Sequence, residues 1–499
     1  MIDQAAPARS ASSWLRHIIG LAVLGSIAAA PLAAHRFPGD TVQFALCSTV
    51  YIATLALCIH PRIPYSALCL AVFLWLGIWV KLATHHILDY PALFGVSYME
   101  PVGNFSFAGG AWNDVVLTAT LGGAGLMLAM LLGLRARMRS HDSDERSQPV
   151  VPAWYARYRA VAWTAGGVML VAVVAANELL WMFKLGWRPR LALPWPFSGL
   201  LAWYFYIGAA LYFAVLAGWD KAAGYRPWTG LAAAGIEGLA SAASTMSRSL
   251  FLFHAGADVL ALLREPPPRR KVGAWQLLMV VSAFIALFGV SVVWVTYSRY
   301  LGPTALPIKQ QPPEHSSDQA TAQARSAPPQ DRSLSVVLHS PWFFALLIDR
   351  WPGLEGIMAL SAHSGKSWDF FVRAAKERRT LDDVDLYTTI SEPSYTRAST
   401  ALYHYSANPG AIGLLYFSGS WWVVFFGMFG ISLAAMALER AVDRVLGNPY
   451  ATALVALYFA GIIIHLNPGF FQKLLTVFTT VAVCVLFAFL SRFPAHKPD

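Results

Sequence analysis

The sequence predicts an all-α fold: a polytopic integral membrane protein with about 12 membrane segments, including a short broken hairpin, and a large outer segment. Three observations carry this expectation. Apolar residues make up 57% of the 499-residue chain and charged residues 13%, and the mean hydropathy is +0.49, which a water-soluble globule of this size does not reach. Apolar runs near the length that crosses hydrocarbon, about 20 residues, recur along the chain. Lys and Arg then segregate between the connecting loops, which gives the net charge of +10 a topological reading and makes nucleic acid an unnecessary partner.

Residues 13–34 follow Arg16 with an apolar stretch ending in "PLAA"; this fits a signal peptide or a first helix, and an uncleaved helix over 17–34 is expected. Further runs at 41–59, 65–84, 114–134, 159–177, 197–216 and 274–296 each approach a full crossing. Three more follow at 418–438, 450–466 and 472–490. Between them, 228–246 nearly spans, but 249–263 is one short run, about 22 Å of helix at 1.5 Å per residue. The region 228–263 is therefore one over-long helix or a hairpin bent near Arg248.

Loop charge favours the hairpin. It places 19 of the 37 Lys and Arg residues in inner segments, 11 in the long segment 297–417 and seven in the short outer segments and nearby helix ends. Both termini are then inside. A straight helix alone would put "REPPPRRK" and later "ERAVDR" outside; the rival is a straight helix compensated by a further span at 334–350, a run that holds His339, Pro341, Asp349 and Arg350 and reads better as interfacial.

The chain thus divides into helices over 1–296, an outer segment over 297–417 and C-terminal helices over 418–499. Within the outer segment, 303–333 is rich in Pro, Gln, Ser and Ala without aromatics and reads as a disordered tether, whereas 334–417 reads as ordered and helical. Ser367 is a fitting N-cap for a helix whose stripe is Trp368, Phe371, Val372 and Ala375, with Arg373, Lys376, Arg378 and Arg379 mainly off it. A basic helix over an apolar mouth suits lipid-linked phosphates or acidic sugars, and a solvated helix face accounts for the same pattern.

Cys47, Cys58, Cys69 and Cys484 all fall in apolar runs, so neither a disulfide framework nor a thiolate metal site is expected. Phosphate-binding glycine loops, zincin patterns and GxSxG elbows are absent. Asp382, Asp383 and Asp385 in "LDDVDLY" read as a solvated turn, so no metal and no cofactor is expected.

Charges within the apolar runs are more informative, because they face a bundle interior or a wet cavity. Glu237, Arg248, His254 and Asp258 all fall in the hairpin, with His254 and Asp258 on one helical face. Arg248 at the outer bend is suited to an anionic ligand, since a guanidinium binds two phosphate oxygens together and stays charged. Mutual neutralisation of these groups is the alternative. In "LLIDRWPGLEGIMAL", Pro352 and Gly353 break any continuous helix, which allows Arg350 and Glu355 to point into one cavity; an interfacial pair with Asp349 is the rival role for Arg350. His404, in "YHYSANPGAIG", is a candidate base or an aromatic-belt histidine.

The stretch "NPGAIGLLYFSGSWWVVFFGMFGISLAAMALER", residues 408–440, resembles the C-terminal signature of Wzy-type O-antigen and capsule repeat-unit polymerases. "SRSLFL" and "DRWPGLEGIMA" are similar to that family's Ser-Arg segment and arginine-bearing outer loop. The resemblance covers about the last half of the chain. It implies a metal-independent glycosyltransferase in a bacterial inner membrane, with its active site facing the periplasm, acting on polyprenyl-diphosphate-linked oligosaccharides. Flippase and chain-length regulator proteins are implied as partners alongside membrane lipid. In this reading Arg248 and Arg350 stabilise the leaving diphosphate, and Glu355 or His404 takes the acceptor proton. Arg373, Arg378, Arg397 and Tyr403 bind substrate. Two alternatives stand beside it: a ligase-like glycan transferase, and a secondary transporter in which Glu237, His254 and Asp258 relay protons.

Overall fold

The computed structural model describes residues 11–88, 101–139, 151–226, 228–264, 274–300, 351–378, 383–393 and 408–492. Among them all regular structure is helical. The N-terminal helices are α1 (Ala11–Arg36), α2 (Thr41–Leu57), α3 (Tyr65–Leu88), α4 (Gly109–Arg139), α5 (Ala153–Leu180) and α6 (Phe197–Ala222). Next come α7 (Trp228–Thr245), α8 (Arg248–Arg264) and α9 (Ala274–Tyr300). Four short helices follow: α10 (Leu354–Ala362), α11 (Trp368–Lys376), α12 (Leu386–Ser391) and α13 (Gly410–Tyr416). The chain ends in α14 (Trp421–Leu446), α15 (Pro449–Ile464) and α16 (Phe471–Ser491).

Among the described residues eight helices are long and apolar enough to cross a membrane, and α2 and α15 are shorter apolar helices. This is a polytopic membrane architecture. A helix that is apolar all round belongs in the middle of a bundle. That is where α15 sits, buried along almost its whole length and packed against α3, α6, α8 and α14. The outer helices do the reverse. Leu21 of α1, Val171 of α5, Trp275 of α9 and Phe478 of α16 are all more than two-thirds exposed, an apolar surface suited to lipid.

Polar anchors fix one end of the bundle. Glu439 of α14 accepts hydrogen bonds from the backbone N–H groups of Tyr65 and Ser66 at 2.9 and 2.7 Å and from Arg137 at 3.1 Å, which satisfies the free donors where α3 begins. Arg159 of α5 holds Asp220 of α6 through two bonds of 2.6 Å, and Arg264 lies over the Tyr65 ring. The opposite end carries the short helices α10 to α13, which form a lobe seated on α4 and α14.

The run 228–263 breaks at Met246 and Ser247 into α7 and α8, which pack against each other as a hairpin. Met246 adopts a left-handed backbone (φ 59°), an uncommon conformation for a long side chain, at a cost of about 1–2 kcal/mol. Buried Asn177 offsets this by donating to the Ser244 carbonyl at 3.1 Å and to Ser244 Oγ at 2.9 Å, so the loop after α5 clasps the turn. The Leu185 N–H completes the clasp with a bond to the Thr245 carbonyl.

Two local expectations are corrected. Ser367 does cap α11, accepting from the Phe370 N–H at 3.1 Å, but the buried face is Phe370, Ala374 and Ala375, while Trp368 is exposed. The Phe370 ring stacks on Phe417, and the Gly469 N–H donates to the Ala374 carbonyl, so tertiary partners rotate the helix away from its apparent stripe. Asp385 is buried and caps α12 through the Thr388 N–H at 2.8 Å, where a solvated turn was expected.

Candidate active site at the lobe end of the bundle

Three Pro-Gly turns, Pro352–Gly353, Pro409–Gly410 and Pro468–Gly469, lead into α10, α13 and α16 at the lobe end. They interlock. A Cβ on Gly356 would stand 2.0 Å from the Pro409 carbonyl oxygen, and one on Gly77 would stand 2.3 Å from that of Pro352, so both contacts require glycine. Asn467 Nδ2 donates to Asn408 Oδ1 at 2.9 Å, joining the two "NPG" turns.

An ion pair secures the first turn. Lys81 follows a π-helical turn of α3 (Trp75–Val80), which re-aims the side chains after it. Its Nζ donates to Glu355 Oε1 at 2.6 Å and to the Trp351 carbonyl at 2.7 Å. Lys81 is 0% exposed and Glu355 3%. Glu355, one of the two residues expected as a candidate base, is thus engaged by Lys81 in the structure. Its evident work is to hold residues 351–356, directly after Arg350 in the chain.

Aromatic contacts connect this turn to the hairpin. Trp351 stacks on Phe73 of α3, with ring centroids 5.8 Å apart, and Phe73 meets Phe253 of α8 edge to face at 5.9 Å. Arg248, half-buried, is the first residue of α8, at the bend where the sequence located it.

His465 belongs to the same neighbourhood and was missed in the sequence. It ends α15, with its ring edge-on to Phe253. The ring's Nδ1 donates to the Gly461 carbonyl at 2.9 Å, which fixes the tautomer and leaves Nε2 without a hydrogen bond among the described residues. In the neutral ring Nε2 is then the acceptor. The signal available was the tripeptide "NPG", which occurs at 408–410 and again at 467–469, two residues after His465.

A second polar group borders the lobe. The Tyr416 hydroxyl donates to Asp114 at 2.7 Å, and Lys366 lies over the Tyr416 ring while donating to the Leu360 and Ser361 carbonyls at 2.9 Å each. Burial lowers the Lys366 pKa, with Asp114 opposing the shift. Arg373 and Arg378 are exposed on the lobe, Arg373 over the ring of Phe370. The candidates Arg350, His404, Arg397 and Tyr403 lie outside the described residues. Among the described residues, no group of His, Cys, Asp and Glu is arranged to hold a metal ion.

Comparison with known proteins adds no relative: no family model, no curated protein and no solved structure matches the chain.

Proposed function

We propose that the protein polymerises polyprenyl-diphosphate-linked oligosaccharide repeat units at the outer face of a bacterial inner membrane. One observation carries the reading. The segments that resemble repeat-unit polymerases are far apart in sequence yet meet at one end of the bundle: "WPGLEG" packs on "NPGAIG" through Gly356 and Pro409, and "SRSLFL" ends one residue before Phe253. The anchoring arginines Arg137, Arg159 and Arg264 cluster at the opposite end, which supports assigning that end to the cytoplasm and the lobe to the periplasm. The crossings by α2 and α15 and by the α7–α8 hairpin bring the membrane segments to about 12 in this reading.

In the reaction an acceptor hydroxyl attacks the anomeric carbon of a lipid-linked chain. The bond from that carbon to the diphosphate oxygen breaks, and the leaving diphosphate gains negative charge. Arg248, with Arg350, balances that charge as a preorganised cation would. Lys81 and Glu355 position the turn that follows Arg350. The acceptor proton passes to an imidazole, either His404 or His465 Nε2. Arg373 and Arg378 attract the second diphosphate or acidic sugars to the mouth.

Purified protein in lipid vesicles, supplied with a lipid-linked repeat unit, should yield a ladder of products differing by one unit. Transfer of a finished chain to a different acceptor without lengthening would assign it to the ligases instead.

A further inference from the structure

The α7–α8 hairpin carries a cluster of buried ionisable side chains: Glu237, His254 and Asp258 are 0%, 2% and 3% exposed. Glu237 comes from α7, and His254 and Asp258 are one turn apart on α8. His254 Nδ1 lies 2.9 Å from Glu237 Oε2, and Nε2 lies 3.0 Å from the Tyr206 carbonyl in a π-helical turn of α6. A carbonyl only accepts, so Nε2 carries a hydrogen; the contact at Nδ1 then holds a second proton, shared with Glu237. Ser241 donates to the other Glu237 oxygen at 2.7 Å. Wherever the shared proton sits, His254 and Glu237 together are neutral and have their hydrogen bonds.

Asp258 is different. Among the described residues it makes no hydrogen bond and no ion pair, and the charged groups that act on it are Glu237 and His254. Tyr204 and Tyr206 of α6 and Tyr458 of α15 are the other titratable groups around the cluster. A neutral pair cannot balance an ionised Asp258. Leaving an unpaired carboxylate out of water costs far more than leaving one hydroxyl unsatisfied, so the acid form suits this place.

We propose that this cluster is a proton-binding site, in which Asp258 holds one exchangeable proton beside the neutral His254–Glu237 unit. The proposal stands apart from the glycosyltransferase reading. On release the O–H bond of Asp258 breaks, the electron pair stays on oxygen, and the proton leaves for water. An unbalanced negative charge then remains in the hairpin that carries Arg248 at its turn, so proton occupancy bears on the position of that arginine.

Infrared spectroscopy of the full chain in lipid nanodiscs near neutral pH tests this. A carboxylic-acid C=O band should be present, should shift in heavy water, and should shift again when the aspartate side-chain carboxyls carry a heavy carbon isotope. Asp258→Asn should remove it. The isotope shift assigns the band to an aspartate of the unaltered chain, and Asp258→Glu, which keeps an acid at the position, should retain a band while abolishing the aspartate isotope shift, which identifies Asp258 even if the Asn variant does not fold. No protonated aspartate band in the unaltered chain, or a band that persists in a folded Asp258→Asn protein, overturns the proposal. Loss of the band when sodium replaces potassium would also overturn it, by identifying a metal-cation site; an unchanged band supports proton binding.

Discussion

Lys81 Nζ and Glu355 Oε1 are 2.6 Å apart although 274 positions separate them in sequence, and both side chains are buried. This contact ties α3 to the turn that opens α10. Removing one partner leaves the other as a buried, uncompensated charge. Lys81→Met should therefore destabilise the protein by about 3–5 kcal/mol, whereas Lys81→Met with Glu355→Leu should be much closer to the parent. Unfolding in mixed detergent micelles, monitored by tryptophan fluorescence, measures both. Equal losses in the single and double variants would mean that the pair has no such role.

The interlocked turns predict an unusual contrast between glycines. Gly356→Ala puts a methyl group into the Pro409 carbonyl and should cost about 1–3 kcal/mol or more, together with activity. Gly430→Ala, on α14 with open space around it, should gain about 0.5–1 kcal/mol from helix propensity. The same unfolding measurement compares them.

Much of the fold was legible in the sequence because apolar runs report lipid and core contact directly, and the bend near Arg248 showed itself as a run too short to cross. The site was legible only where its signal is local. Glu355 stood out beside a Pro-Gly break, but Lys81, one charge inside "WVKLATHH", was not singled out, since nothing in the sequence brings α3 to α10. His465 was hidden at the end of an apolar run. The face of α11 was misread because Phe417 and Gly469, not its own periodicity, decide which side is buried.

The exposed arginines of the lobe should act on substrate capture alone. Arg373→Ala and Arg378→Ala should leave stability within about 0.5 kcal/mol of the parent. They should raise KM for lipid-linked substrate and weaken its dependence on salt, with kcat little changed. Product formation at varied substrate and ionic strength provides the check.

The central claim is that Arg248 stands beside a diphosphate that departs as glycan units are joined. The most direct measurement counts polyprenyl diphosphate released and linkages formed by the purified parent and by Arg248→Ala in parallel. One release per linkage is expected from the parent, with a fall of about 10²–10³-fold in the variant at unchanged folding. Full product from Arg248→Ala, or linkages formed with no diphosphate released, would contradict it.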